Sequence, residues 1–363
     1  MTIFAMRQAM VSAPAGDRSS VARLVLFGLV ALLIVAMGLS LFTGASNVSA
    51  IDAMRIWLGL VAPDDASAVR AMIIINDIRL PRMVLGVLVG AGLAVSGVVM
   101  QGMFRNPLAD PGLVGVSAGA GLGAVLFIVL GGTALAPLVA IMGIYSIPLA
   151  AFGGGALTTI ILYRVSTSRG QTAIATMLLA GIAIGALSGA VTGMLVYIAN
   201  DAQLRDLTFW GLGSLAGANW TKILAAGPLM VAGIVVSMML WRGLNALTLG
   251  EASAHHMGID VQRLKNTAIG AVAACVGAAV AVSGGIGFVG IVVPHLLRIL
   301  IGPDHKYLLP ASAILGAAFL LFADAVSRII VAPAELPIGI VTASVGGPFF
   351  LYILLRRRHH LAW

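Results

Sequence analysis

The chain has 363 residues, of which 60% are hydrophobic and only 9% charged, and its formal net charge is +8. A soluble domain carries roughly 25% charged residues, so this composition, with a mean hydropathy of +1.07, excludes an ordinary soluble fold. The basic residues stand singly or in pairs between apolar runs, apart from Arg356–His360 at the end of the chain. The positive charge therefore does not predict a nucleic-acid surface. Long apolar runs without strand-like alternation predict an all-α integral membrane protein.

Three segments are expected along the chain. Residues 1–22 are mixed and polar, contain no convincing cleavable signal, and are expected to form a cytoplasmic N-terminal segment. Residues 23–355 form one transmembrane domain, and residues 356–363 form a basic cytoplasmic tail. Ten apolar stretches in this domain predict membrane helices, at about 23–43, 82–104, 112–131, 137–163, 173–199, 221–241, 267–283, 286–301, 308–332 and 338–355. The long loop between the first two is expected to hold a short amphipathic helix around Ile51–Leu60.

The distribution of basic residues predicts the orientation of these helices. With the N-terminus inside, the cytoplasmic loops carry twice as many Lys and Arg residues as the outer loops. This bias predicts an N-in, C-in topology. Such a topology requires an even number of spans, which agrees with ten.

Ionisable residues are scarce within the predicted spans. Among the acidic residues only Asp324 lies clearly inside one, and Arg328 follows on the same helical face, where a local ion pair is expected. No histidine lies in mid-span, and Cys275, the single cysteine, is expected to be a packed thiol. No metal site or proton relay is therefore predicted. A gradient-driven secondary transporter, which normally needs such groups, remains the alternative class.

The chain carries no energy source of its own. No G-x-x-x-x-G-K-[ST] phosphate loop occurs, and "GAGLGA" at Gly119–Ala124 lacks the preceding strand and the lysine of such a loop. These small residues instead predict a surface where helices touch. The chain is therefore expected not to be an enzyme and to bind no cofactor. ATP and Mg²⁺ would belong to a separate ATPase subunit.

Three long motifs resemble the FecCD-type permeases, the membrane subunits of ABC importers for ferric siderophores, haem and cobalamin. They are "RLPRMVLGVLVGAGLAVSGVVMQGMFRNPLADPGLVGVSAGAG" from Arg79, "SGGIGFVGIVVPHLLR" from Ser283, and "LFADAVSRIIVAPAELPIGIVTASVGGPFFLYILL" from Leu321. The resemblance extends from about Arg79 to Leu355. It implies ten helices per subunit and a homodimer in the bacterial inner membrane, with the pathway on its two-fold axis. It also implies two cytoplasmic ATPase subunits and a periplasmic substrate-binding protein.

The resemblance assigns roles at both membrane surfaces. Arg79 and Arg82 in "RLPR", together with Arg328, would face acidic residues of the binding protein, to which guanidinium groups bind well. On the cytoplasmic side, the polar connection "TLGEASAHHMGIDVQRLK" matches the coupling helices that receive motion from the ATPase. The residues expected to make this contact are Gly250, Glu251, Ala254, Met257 and Gly258.

The resemblance also places a gate and a pathway. The gate would lie at the inner mouth, where the loop after the second span meets the start of the fifth; its residues are Asn106, Leu108, Ile174 and Ala175. Pro107 keeps this loop from continuing as a helix. Met177 and Met194 on the fifth span would line the path, although methionine is also common core filler.

The substrate is expected to be haem. The segment "LRDLTFW" resembles the haem-importing branch more than the cobalamin branch. Arg205 could pair with a haem propionate, and Phe209 and Trp210 could meet the ring. Asp206 could instead neutralise Arg205, and tryptophan is common at membrane surfaces in any case. A ferric siderophore is the first alternative cargo, and cobalamin is less expected.

Overall fold

The structure, a computed structural model, describes residues 18–44, 55, 66–168, 171–332 and 334–361. Ten long helices dominate it: α1 Ser19–Phe42, α2 Leu80–Met103, α3 Val116–Leu130, α4 Ser146–Ser166, α5 Ile174–Ile198, α6 Trp220–Met239, α7 Val261–Ser283, α8 Val289–Ile301, α9 His305–Ile329 and α10 Ile338–Leu361.

Each long helix lies on one of the ten predicted spans, so the predicted helical membrane architecture is confirmed. Among the described residues, seven helices are long and apolar enough to cross a membrane alone. α3, α8 and the apolar part of α10 are shorter. The amphipathic helix expected around Ile51–Leu60 lies outside the described residues, apart from Arg55.

α2 begins further out than the sequence predicts. A helix at Ala66–Ile73 and a π-helical turn at Ile74–Arg79 lead directly into it. Pro81 in its first turn has no backbone N–H to donate, and the hydrogen-bond ladder widens just before it: the amide of Leu80 donates to the carbonyl of Ile75.

Short elements connect the long helices. They are α-helical at Ala136–Met142, Asp201–Gly211, Trp241–Leu247 and Glu251–His256, and 3₁₀-helical at Pro111–Val114 and Gly143–Tyr145. A two-residue antiparallel hairpin, β1 Thr167–Ser168 and β2 Gln171–Thr172, joins α4 to α5. The sequence did not predict this hairpin, because four residues are too few to show strand periodicity.

Burial divides the helices into an inner and an outer set. The apolar segments of α2, α7 and α9 are 83%, 72% and 61% buried, whereas those of α4 and α5 are only 11% and 17% buried. α2 packs against α6, α7, α8 and α9, so it is the central helix of the protomer. α4 and α5 leave most of their apolar surface for lipid or for another chain.

Glycines bring the backbone of α2 into contact with its neighbours. A Cβ atom placed on Gly97 would lie 1.9 Å from the carbonyl oxygen of Gly290 in α8, and one on Gly90 would lie 2.3 Å from that of Gly316 in α9. Gln101 strengthens the first contact: its amide donates to the Gly290 carbonyl at 3.0 Å and its oxygen accepts from Arg298. Small residues are what close helix packing in lipid requires.

The glycine-rich stretch of α3 is a packing surface, as the sequence predicted. A Cβ atom on Gly119 would lie 2.0 Å from the Thr158 hydroxyl and 2.4 Å from the Gly154 carbonyl, both in α4. Gly123 meets the backbone of α4 at Ala150 in the same way. The stretch therefore serves helix contact, and no phosphate loop is formed.

Contacts between loops agree with the predicted alternation of helix directions. At one end, which we call the inner end, Arg18 lies beside Gly302 and Arg105 lies beside Gly250. At the opposite, outer end, Trp220 donates to the carbonyl of Asn76. Loops predicted on the same side of the membrane therefore meet in the structure.

We expect Gly119→Ala to destabilise the protein by about 1–3 kcal/mol, because the added methyl group overpacks the α3–α4 contact. Gly121→Ala is the matched control, since nothing lies within 4 Å of a Cβ atom there. Both changes raise helix propensity by about 1 kcal/mol, so only packing distinguishes them. Unfolding in detergent measures the difference; equal stability of the two variants would contradict the packing assignment.

Candidate functional site

A buried charged network closes the outer end of the bundle. Arg82, in the first turn of α2, binds Asp324 of α9 through two guanidinium nitrogens at 2.9 and 3.0 Å. Its third nitrogen lies 2.9 Å from Glu335, in the loop before α10. The side chain of Asp324 is 1% exposed, whereas that of Glu335 is 41% exposed. Arg82 therefore joins a fully buried carboxylate to one at the surface.

Two further arginines attach the end of α1 to this network. Arg328 pairs with Asp324 at 3.0 Å and donates to the carbonyls of Thr43 and Ser40 at 2.7 and 3.1 Å. Arg79 donates to the carbonyl of Leu41 at 2.8 Å. The last carbonyls of a helix lack partners within the helix, and here arginine side chains supply them.

The expectation that the guanidinium groups of Arg79 and Arg82 point outward is therefore wrong, and Arg328 is buried with them. Their relative exposures are 4%, 7% and 6%, because Asp324 and the end of α1 draw their guanidinium groups inward. The expected local pair between Asp324 and Arg328 is confirmed. A direct role of these arginines in docking stays a prediction, and the acidic member of the network at the surface is Glu335.

At the inner end, the short helix Glu251–His256 is bounded by two glycines. Gly250 and Gly258 have φ values of +104° and +81°, a region that side-chain-bearing residues rarely adopt. Ala254 is fully buried, whereas Met257 is 52% exposed. The five expected coupling residues thus lie on one compact turn, part buried and part presented at the surface.

The Lys265 amine links this turn to the hairpin before α5. Its nitrogen lies 2.9 Å from the Glu251 carboxylate and donates to the carbonyl of Thr172 at 3.0 Å. Gln262 binds the same threonine: it accepts from the Thr172 amide at 2.9 Å and donates to its hydroxyl at 2.8 Å. Sequence reasoning missed these partners, because 90 residues or more separate them from Thr172.

The loop that holds two of the expected gate residues has a defined conformation. The side-chain oxygen of Asn106 accepts from the amide of Leu108 at 3.0 Å. Asp110 caps the 3₁₀ turn that follows, accepting from the amide of Gly112 at 2.7 Å. Burial raises the pKa of the Asp110 carboxyl, and the hydrogen bond from Gly112 opposes that shift. The loop is therefore a capped turn that ends the helix.

The other two expected gate residues begin α5 at the same end of the bundle. Ile174 is half-buried and Ala175 is exposed. α5 packs against the 3₁₀ turn Pro111–Val114, which follows the loop that holds Asn106 and Leu108.

The two methionines of α5 differ in their surroundings. Met194 is 71% exposed, but Met177 is completely buried, so the expectation that Met177 lines the pathway is wrong. Met177 lies on the face that α5 packs against the bundle, with Gly181, Ser188 and Leu195. The opposite face exposes large apolar side chains, including Leu179, Ile182 and Tyr197.

The expected substrate residues lie on the short outer helix Asp201–Gly211. A reciprocal capping box between Asn200 and Gln203 defines its start. Arg205 is exposed, Phe209 is 54% exposed, and Trp210 packs partly against the core. Among the ion pairs of the described residues, none joins Arg205 to Asp206, as expected for adjacent helical positions.

Within the described part of the chain, no three His, Cys, Asp or Glu side chains are grouped so that they could hold a metal ion. The parts of the candidate site are the outer network, the exposed face of α5, and the inner turn with its lysine link.

Residues 32–356 match the model of the FecCD transport family. The chain is 46% identical over 340 residues to the hemin transport system permease protein HmuU of Yersinia pestis, covering 92% of this chain and 95% of that protein. It is 45% identical over 287 residues to the cobalamin import system permease protein BtuC of Halobacterium salinarum, covering 79% and 74% respectively. A solved inward-facing metal-chelate type ABC transporter superposes with a TM-score of 0.77 at 33% identity, covering 92% of this chain and 99% of that one.

We expect Asp324→Asn to destabilise the protein by about 3–5 kcal/mol, because it leaves two buried arginines without their shared carboxylate. Glu335→Gln is the matched control. It removes a negative charge from the same arginine at a half-exposed position, where a loss of about 0–1 kcal/mol is expected. Unfolding in mixed micelles compares the two. A smaller loss for Asp324→Asn than for Glu335→Gln would contradict the assignment of Asp324 as the centre of the network.

Proposed function

The chain belongs to the FecCD transport family and is a multi-pass inner-membrane permease of an ABC importer; from that premise we propose that its cargo is haem. The observation that carries this proposal is the 46% identity to a hemin permease over 95% of that protein's length. The proposed direction of transport is from a periplasmic binding protein into the cytoplasm.

The short outer helix supports haem as the cargo. Arg205 is exposed and free of an ion pair with Asp206, and Phe209 stands one turn further along the same helix. Haem is a flat apolar ring that carries two propionates. The propionates need a cationic partner and the ring needs an aromatic surface, and the two must lie side by side. A guanidinium group binds carboxylates well, and an exposed phenylalanine offers the ring contact.

Other cargo fits the same machinery. A ferric siderophore is one alternative. Cobalamin is the other, and it has a specific observation in its favour, since a cobalamin permease is 45% identical to this chain. The proposal of haem over cobalamin therefore rests on the longer match to the hemin permease and on the outer helix.

We place the partners on the surfaces that the protomer leaves open. The exposed face of α5, with Met194, would face the pathway in a homodimer. The turn Gly250–Gly258 would contact one of two ATPase subunits, which would hold ATP and Mg²⁺. The binding protein would dock at the outer end above the buried arginines, and Asn106, Leu108, Ile174 and Ala175 would form the inner gate.

A gradient-driven secondary transporter is the alternative outside this class. Such transporters normally use ionisable or carbonyl ligands within the membrane to exchange protons or ions. Asp324 is engaged by both Arg82 and Arg328, so this carboxylate is already neutralised by fixed charges. The network therefore favours an external energy source.

The proposal predicts ATP-dependent uptake of haem by proteoliposomes that contain this chain, its ATPase and a haem-loaded binding protein. Parallel samples offer a ferric siderophore or cobalamin with the matching binding proteins, and an ionophore removes ion gradients. Uptake of haem that needs ATP and survives the ionophore is the expected result. Uptake of cobalamin alone would refute the cargo, and uptake without ATP would refute ATP-driven import.

Arg205→Ala should lower haem uptake about tenfold, since a hydrogen bond to a charged group contributes about 1.5–3 kcal/mol. Asp206→Ala is the control, an exposed charged neighbour that should leave uptake near the wild-type rate. Both variants should assemble with the ATPase. Equal uptake by the two variants would remove Arg205 from substrate recognition.

A further inference from the structure

Lys265 is a buried charge that bridges two separate elements at the inner end. Its relative exposure is only 4%. One side of its amine faces the Glu251 carboxylate, on the short helix Glu251–His256. The other side donates to the carbonyl of Thr172, two residues before α5 begins. We propose that Lys265 is a positioning residue that transmits displacement of the short helix to the first turn of α5.

Separating the buried amine of Lys265 from Glu251 and Thr172 is energetically unfavourable. A charge removed from water is costly unless it is paired and hydrogen-bonded. Lys265 is buried, whereas its partner Glu251 is 43% exposed, so the cost of losing these contacts falls on the amine. If the short helix moved while the hairpin stayed, Lys265 would lose either Glu251 or Thr172. Movement of the two elements together avoids that cost.

Every polar atom of Thr172 forms a hydrogen bond with Gln262 or Lys265. Its amide and its hydroxyl bind Gln262, and its carbonyl binds Lys265. Thr172 is itself buried, with 4% of its surface exposed. A displacement of Lys265 and Gln262 therefore acts on the backbone of this residue as well as on its side chain.

Short hydrogen bonds within the hairpin would transmit that displacement to the start of α5. The hydroxyl groups of Thr167 and Thr172 lie 2.9 Å apart across the strands, and the amide of Ala173 donates to the carbonyl of Ser166 at 2.9 Å. α5 starts at the next residue, Ile174. Thr172 and the exposed Ala175 are therefore only three positions apart in the chain.

The polar bridge borders an open cavity. A cavity of about 730 Å³ lies beside it and is lined by both elements, including Gln171 and Ala173 on the hairpin side and His255 on the side of the short helix. Lys265 and Gln262 themselves line this cavity, and their contacts connect its two sides. The inference rests on the proposed function, in which the short helix receives motion from an ATPase.

The test follows the thiol reactivity of Ala175→Cys in the complete transporter with its ATPase and haem-loaded binding protein. The only native cysteine, Cys275, is buried, so the introduced thiol is the accessible one. We expect its labelling rate to change at least threefold between the nucleotide-free and the ATP–vanadate states. Lys265→Met should abolish that change and lower haem taken up per ATP hydrolysed at least fivefold, while the ATPase still co-purifies.

Lys265→Arg should restore most of the response, because a guanidinium group can still donate to both partners. Arg164→Met is the matched control: it removes an exposed cation from the last turn of α4 and should leave labelling and uptake unchanged. If Lys265→Met does not fold, Gln262→Leu decides, since it removes the other two bonds to Thr172 without a change in charge. It should reduce the labelling response at least twofold.

A full response in Lys265→Met, or in Gln262→Leu where that variant decides, would overturn the proposal. Failure of the underlying function has a different signature. In that case the otherwise unmodified transporter itself would show neither ATP-dependent haem uptake nor a nucleotide-dependent change at position 175. The two failures are therefore distinguishable within one set of samples.

Discussion

The backbone contacts of α2 are the constraint on which the rest of the structure depends. Lipid offers no hydrophobic force that drives one helix against another, so close packing and satisfied polar groups must do so. Gly97 against Gly290 and Gly90 against Gly316 bring α2 onto α8 and α9 at backbone distance. Only at that separation do Gln101 and Arg82 reach their partners on the neighbouring helices.

This packing divides the protomer into a scaffold and a more loosely held part. α2, α7 and α9 are buried on most sides, and the arginine network joins α2 to α9 at the outer end. α5 has 17% of its apolar segment buried and lies next to the bundle rather than within it. Its first turn is attached to α7 through Thr172, Gln262 and Lys265. A force at the inner surface would thus reach α5 more easily than it would deform the scaffold.

Much of this architecture could be predicted from the sequence, because its signals are local. Helix length, the packing role of Gly119 and the Asp324–Arg328 pair all follow from residues close together in the chain. The failures have one physical cause, which is distance along the chain. Arg82 meets partners 242 and 253 residues away, and Lys265 meets Thr172 across 93 residues. Met177 was misplaced for a related reason: apolar residues around a membrane helix do not reveal which face the bundle covers.

The central claim, that α5 moves while the scaffold stays fixed, can be tested by electron–electron distance measurements between spin labels in the reconstituted transporter. One sample carries labels at Ile182 on the exposed face of α5, and another carries them at Val326 on α9, both of which are exposed positions. Between the nucleotide-free and ATP–vanadate states, the account predicts a shift of several ångströms between the two copies of Ile182 in the proposed homodimer, and a clearly smaller one between the copies of Val326. Equal shifts at both positions, or a shift at Val326 alone, would contradict it.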